Sequence, residues 1–421
     1  MYSILIFLLT IILMTAAVIR YRTPPFFVLI GGALFFGAAS GMPLDQMIRA
    51  ATAGMGRVFA LLGIVILSGA VIAKVMQEQH QVEQVVEDIQ SVMKRPFWLA
   101  GVAGFLLAIP LMCCITAFVI LTPILNQLGG GLQKTKGLLY TAALGSLISF
   151  ALIYPTPVII ALFASLPAME VSPVIFDLYM LPIAIVLLAG AIFLMHRRYS
   201  RPDDPDEQKN PAPVVHTSSG SHLRAWYPFL AIGGALVIGL AIFRLSPSSL
   251  IQVVMLTGVV TALVLAPGDV RKKAFTSGAK HAGVIIFDLC GAGALGAVIV
   301  ASNLGTQAYG LLTLALPAIL VPFLIAALIQ TAQGSRVVTA VITGEIIAGT
   351  SIAGSIHPIP LILLISGGAC IVSYITDPYF WLVQRATGDD VATVVKNYTI
   401  PLAAMGFVLF FVAAGMELLL A

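Results

Sequence analysis

Charge is scarce in this sequence. Of 421 residues, 10% are Asp, Glu, Lys or Arg and 59% are apolar, where an ordinary soluble domain carries roughly 25% charged and 45–50% apolar residues. A soluble core of this length needs a charged shell to stay dispersed, yet apart from residues 77–95 and 196–225 long polar segments are scarce. The excess apolar surface is matched instead to acyl chains. Cysteine is scarce too. Cys113, Cys114, Cys290 and Cys370 lie inside apolar stretches without CxxC spacing or paired His ligands, which argues against a disulfide framework or a metal site and leaves small packing residues. No basic patch is present either: the net charge is +4 and the Lys and Arg residues are scattered between apolar runs, so no nucleic-acid partner is expected. The chain has no HExxH, no GxGD around any aspartate and no Ser paired with a membrane His, which makes an intramembrane enzyme the remote alternative. No cofactor is called for. The six histidines fall mostly in loops, so a histidine proton relay has little support. The apolar start, residues 1–19, lacks a basic n-region and a small-residue cleavage site, and reads as a retained first span.

What is present is a series of apolar runs. Crossing the ~30 Å hydrocarbon core takes about 20 such residues. The candidates are 3–19, 26–41, 57–75, 97–109, 137–153, 176–195, 227–243, 250–266, 283–301, 308–327, 359–374 and 401–420, and several abut apolar stretches broken by Gly, Pro or polar residues, at 110–128, 154–166, 328–350 and 375–388. An all-α polytopic membrane protein of about 12 to 14 membrane segments is expected.

Residues 196–225 are polar and Pro-rich and read as a solvent-exposed linker between an N-terminal membrane repeat, 1–195, and a C-terminal one, 226–421. A shift of 224 residues aligns Pro43 with Pro267, Asp45 with Asp269, Arg49 with Lys273, Ala50 with Ala274, Thr52 with Thr276 and Gly54 with Gly278, then Gly69, Ala70 and Ala73 with Gly293, Ala294 and Ala297. Matched Pro and Asp with a basic residue four positions on mark an internal repeat. With the linker cytoplasmic, the loops holding Arg20, Arg22, Lys94, Arg95, Arg271, Lys272, Lys273 and Lys280 share its side, while Arg49, Arg57 and Arg244 face the other. That bias sets the N-terminus outside and puts the equivalent loops 42–56 and 267–280 on opposite sides. The halves then have inverted topology, with a substrate site near the midplane where broken helices meet.

Irregular backbone inside a membrane is tolerable only where protein or a wet cavity encloses it. In residues 332–343, Gly334, Ser335, Arg336 and Thr339 interrupt an apolar stretch. The amides of a helix beginning there would aim partial positive charge at a ligand, and Arg336 adds a full charge on a carboxylate-matching fork. An anionic substrate follows. In residues 373–381, Ser373 and Tyr374 precede Asp377 and Pro378; Pro breaks the helix and frees carbonyls, and Asp377 is the first candidate for ion coupling. The first half has matching breaks at 109–123 and 154–163, where Thr116, Tyr154 and Thr156 offer hydroxyls and no acid or base appears. Asp288 and Glu345 lie in apolar surroundings and are further candidates to carry a proton.

On these segments the chain resembles the gluconate permease family of proton symporters, within the ion transporter superfamily. The resemblance spans nearly the whole length, through residues 41–56, 117–124, 332–343 and 375–381, the last two being the most specific. It implies hydroxycarboxylate substrates, proton coupling with alternating access, two inverted repeats with re-entrant hairpins, and a homodimer, in the bacterial inner (cytoplasmic) membrane. The chain departs from the family where Ile115 stands at an often acidic position, where the first break reads Tyr-Pro-Thr-Pro without a His, and where Tyr374 replaces a His. The expected cargo is accordingly a small organic anion, gluconate or a related acid, imported with a proton. The alternatives are a sodium-coupled carboxylate carrier and a carrier of a zwitterion such as D-serine.

Overall fold

Backbone amides in hydrocarbon must pair within their own segment, which favours helices. The computed structural model describes residues 2–21, 23–166, 171–200, 223–302, 316–374 and 376–420, and contains no strand among them. In chain order the helices are α1 (Tyr2–Tyr21), α2 (Pro25–Ala39), α3 (Leu44–Glu78), α4 (Gln81–Val92), α5 (Pro96–Ala108), α6 (Cys114–Leu128), α7 (Leu132–Leu152), α8 (Pro157–Ser165) and α9 (Pro173–Tyr199). After the linker come α10 (Leu223–Ala241), α11 (Pro247–Leu265), α12 (Gly268–Ala301), α13 (Leu320–Gln333), α14 (Arg336–Ala348), α15 (Ile352–Ser355), α16 (Pro358–Ile371), α17 (Pro378–Thr387), α18 (Val391–Val394) and α19 (Ile400–Leu420), with a π-helical turn, Val395–Thr399, between the last two. Proline opens α2, α5, α8, α9, α11, α16 and α17, because the first helical turn has no use for the N–H that proline lacks.

Among the described residues, six stretches are long and apolar enough to cross a membrane: Leu44–Glu78, Leu132–Ser165, Pro173–Tyr199, Leu223–Ala241, Gly268–Ala301 and Val391–Leu420. Over an apolar 18-residue portion of each, 83% of the residues are buried in Leu132–Ser165, the most enclosed stretch, and 17% in Leu223–Ala241, which turns most of its surface outward. α5 with α6, and α13 with α14, form two pairs of short apolar helices joined by tight tips. At 1.5 Å per residue these arms are too short to cross the ~30 Å core.

Two expectations shift. Segments 42–56 and 267–280 read as polar loops, but they are the opening turns of α3 and α12, helices of 35 and 34 residues. Each is about 52 Å long, well beyond the hydrocarbon thickness, so hydropathy registers only the apolar part. The polar run 77–95 contains α4, whose Val82, Val85, Val86 and Ile89 are buried, an i, i+3, i+4, i+7 stripe. The Trp226 indole donates to Asp88 Oδ2 at 2.7 Å, tying α10 to α4. Of the expected linker 196–225, residues 196–199 continue α9 and 223–225 open α10, while 201–222 and part of the expected span 308–327 lie outside the described residues.

α3 and α12 pack along much of their length. A Cβ on Gly54 would sit 2.1 Å from the Gly293 carbonyl oxygen, and one on Gly293 would sit 2.6 Å from the Gly54 carbonyl oxygen. Further on, a Cβ at Gly278 would meet Val71 at 2.9 Å. Contact moving forward along α3 moves backward along α12, so the two helices are antiparallel. The helix starts also recur at the sequence spacing: α3 and α12 begin at Leu44 and Gly268, α5 and α13 at Pro96 and Leu320, 224 residues apart in both cases.

Candidate functional site

The turn from α13 into α14 is made possible by Gly334. Its φ is +66° and its N–H donates to Gln330 O at 2.8 Å, an αL helix stop that glycine adopts at no steric cost. A Cβ there would lie 2.0 Å from Thr376 O, so the hairpin tip is seated directly on the break between α16 and α17. Ser335 caps α14, its Oγ accepting from Val338 N at 3.4 Å. The two arms are joined where Thr339 Oγ1 donates to Gln330 Oε1 at 2.8 Å.

Arg336, the first residue of α14, is 5% exposed. Its Nη2 donates to Ser373 Oγ and to Asp377 Oδ2, the latter at 3.3 Å, and the Cys370 thiol neighbours the guanidinium. Asp377 is equally enclosed. Its Oδ1 accepts from Tyr379 N at 2.9 Å, capping α17, and its Oδ2 also accepts from Tyr398 Oη at 3.2 Å. The π-helical turn that carries Tyr398 also carries Thr399, whose hydroxyl donates to Ser373 O at 2.5 Å. Thr376 Oγ1 donates to Thr331 O at 2.9 Å. The freed carbonyls of both breaks are thus partly answered by side chains, as burial requires.

The first half supplies the facing wall. At the tip between α5 and α6, Cys113 caps α6, its Sγ accepting from Thr116 N at 3.4 Å. In the α7–α8 break, Thr156 Oγ1 donates to Phe150 O at 2.8 Å and Tyr154 N donates to Asp177 Oδ1 at 2.9 Å. Ser146 of α7 and Tyr379 of α17 join hydroxyls at 2.8 Å, across the halves.

Between these elements lies a cavity of about 440 Å³. First-turn residues of four helices line it: Cys114 to Thr116 of α6, Pro157 of α8, Arg336 to Val338 of α14, and Pro378, Tyr379 and Trp381 of α17. Each helix start brings the positive end of a helix dipole, although Cys113, Ser335 and Asp377 already cap one amide each at α6, α14 and α17 and Pro157 of α8 has no N–H to offer. Convergence of such ends is a setting for an anion.

Of the residues singled out from sequence, Gly334, Ser335, Arg336, Thr116, Asp377 and Asp288 line the cavity. Ser373 lies one hydrogen bond behind it, through Arg336. Thr339 is buried within α14, and Tyr154 and Thr156 in the α7–α8 break, all outside the lining. Tyr374 packs edge-on to Phe380, ring centroids 5.3 Å apart. Glu345 pairs instead with Arg57 at 3.0 Å, away from the cavity. Asp288 Oδ1 accepts from Phe26 N at 3.0 Å, at the start of α2. Cys113 and Cys114, read as packing residues, stand at the first tip and line the cavity, as do Gln333, Thr23 and His281. Gln333 adjoins the polar interruption at Gly334 in sequence, whereas nothing local to residues 395–399 pointed at Tyr398.

The chain matches the GntP family permease description over residues 2–219 and 235–420. It is 25% identical to a gluconate permease of Pseudomonas aeruginosa, with 94% of each chain covered. Against the low-affinity gluconate transporter of Escherichia coli K12 it is 24% identical, covering 95% of this chain and 94% of the relative. Among solved structures, the YdaH transporter of Alcanivorax borkumensis superposes with a TM-score of 0.62 at 15% identity, over 94% of this chain and 99% of that one, a likeness of fold.

Proposed function

Since the chain belongs to the GntP permease family, whose curated members are permeases and transporters rather than enzymes, we propose that it imports gluconate or a related hydroxycarboxylate by proton symport with alternating access. The observation that carries this reading is Arg336, a buried cation at a helix start, paired with the carboxylate of Asp377 in a cavity lined by first-turn residues of four helices. The relatives named for gluconate support the cargo.

Coupling follows from charge. With Asp377 ionised, the pair is neutral; a bound carboxylate would leave one net negative charge in a buried site, at a cost of several kcal/mol. A proton on Asp377 cancels that charge and releases Arg336 Nη2 to the substrate. Anion and proton then enter together, and the Arg336–Asp377 pair with its bound anion carries no net charge, as the empty pair carries none. The equivalence of α3 and α12 at 224 residues, together with their antiparallel packing, supports inverted repeats. In this reading α5–α6 and α13–α14 are re-entrant hairpins from opposite sides.

The test is uptake of labelled gluconate into proteoliposomes holding the purified chain. An inward proton gradient drives accumulation at fixed sodium, and replacing sodium at fixed pH changes nothing. Accumulation that follows sodium and ignores the proton gradient overturns the coupling.

A further inference from the structure

Gln330 Nε2, Gln333 Nε2 and Arg336 Nε are buried nitrogens with no hydrogen-bond acceptor among the described residues. An unanswered buried donor carries a substantial penalty, so its place in a native structure calls for an account. Gln330 belongs to the frame of the hairpin, since its Oε1 is held by Thr339 and it lies outside the cavity lining. Gln333 is different: it is 8% exposed and lines the cavity, as Arg336 does. The αL turn at Gly334 lies between them and stops α13 just before α14 begins.

We infer that Gln333 is a specificity-determining ligand, whose carboxamide reads the hydroxyl on the carbon next to the carboxylate held by Arg336. The inference rests on the hydroxycarboxylate reading above and assigns a residue to recognition of the 2-hydroxyl. A carboxylate only accepts hydrogen bonds, which suits the guanidinium and the α14 amides. A hydroxyl both donates and accepts, and a carboxamide does the same. The neutral amide therefore adds recognition without adding charge to a site whose balance is already set by Arg336 and Asp377. Apolar residues such as Ile66, Leu111 and Ile285 line other parts of the cavity. A site built to bond a hydroxyl rejects the analogue lacking it, because the amide is then left unpaired.

The experiment uses the full-length purified chain and titrates ligand-induced thermal stabilisation with two matched pairs, gluconate with 2-deoxygluconate and lactate with propanoate. In the wild type the 2-hydroxy acid of a responding pair binds at least about tenfold tighter than its partner. In Gln333→Met, which keeps the length and apolar stem of the side chain, the hydroxy acid weakens to the level of the deoxy acid, whose own affinity holds. Gln333→Asn, with the amide withdrawn by one methylene, reduces the preference in the same direction. Preference unchanged in both variants, or both acids weakened alike, overturns the role of Gln333. Arg336→Ala serves as the separate arm: it weakens hydroxy and deoxy acids alike, and its failure to do so, or a wild type that responds to none of the four acids, overturns the carboxylate site itself.

Discussion

At the scale of single residues, the Arg336–Asp377 pair carries both stability and chemistry. Removing one partner of a buried pair leaves an uncompensated charge, at about 3–5 kcal/mol. Arg336→Ala is therefore expected to unfold at markedly lower temperature and to lose carboxylate binding by about 10- to 100-fold, the range of a charge-assisted hydrogen bond. Arg336→Ala combined with Asp377→Ala is expected to be less destabilised than the sum of the single changes, read as a thermal double-mutant cycle. Arg336→Lys keeps the charge but not the fork that reaches Ser373 and Asp377 together, so it retains weak binding. Asp377→Asn fixes the site in its protonated charge state. Gluconate exchange should continue in that variant, while accumulation driven by a pH gradient disappears; accumulation equal to wild type would remove Asp377 from coupling.

At the scale of elements, two glycines set how closely backbones approach. A methyl at Gly334 would meet Thr376 O at 2.0 Å, and its φ is +66°, a conformation costing roughly 1–2 kcal/mol for other L-residues. Gly334→Ala is expected to lift the hairpin tip off the α16–α17 break and to weaken substrate binding even where the protein still folds. Gly54 acts differently, within a long helix. Its hydrogen faces the Gly293 carbonyl, so Gly54→Ala forces α3 away from α12 and should lower stability by about 1–3 kcal/mol, the usual cost of overpacking. Thermal unfolding in detergent distinguishes the two: Gly54→Ala moves the midpoint at all ligand concentrations, whereas Gly334→Ala mainly removes ligand-dependent stabilisation.

At the scale of the whole molecule, polar ties cross between the halves. Lys136 Nζ meets Asp389 Oδ1 at 2.5 Å, with Tyr140 Oη donating to the other carboxylate oxygen at 2.8 Å, and Arg57 meets Glu345 at 3.0 Å. Both ion pairs join an N-terminal-half residue to a C-terminal-half residue. Inverted repeats predict that equivalent positions face opposite solutions. Asp45 and Asp269 are both exposed, near the starts of α3 and α12. In a chain freed of its native cysteines, Asp45→Cys should react with a membrane-impermeant maleimide from outside intact cells, and Asp269→Cys only after the membrane is opened. Labelling of both from the same side would overturn the inverted arrangement.

Composition alone determined the solvent of this protein, because apolar area without a charged shell has nowhere to go but lipid. The sequence also determined where the helical ladder is interrupted: Gly334 stops α13, Pro378 opens α17 after a break, and the Tyr-Pro-Thr-Pro run separates α7 from α8, all legible without partners. Arg336 and Asp377 stood out for the same reason, as charges inside apolar runs. Only the tertiary structure decided that those two meet, 41 positions apart, and that Tyr398 joins them from the π-helical turn. Folding likewise drew Glu345 to Arg57 and brought four helix starts to one cavity. Hydropathy is a sum over neighbours in sequence and ended α3 and α12 where polarity began, while the helical ladder ran on through the polar turns. Pairing depends on which surfaces pack, and that is set by close approaches such as Gly54 on Gly293, which no local sum contains.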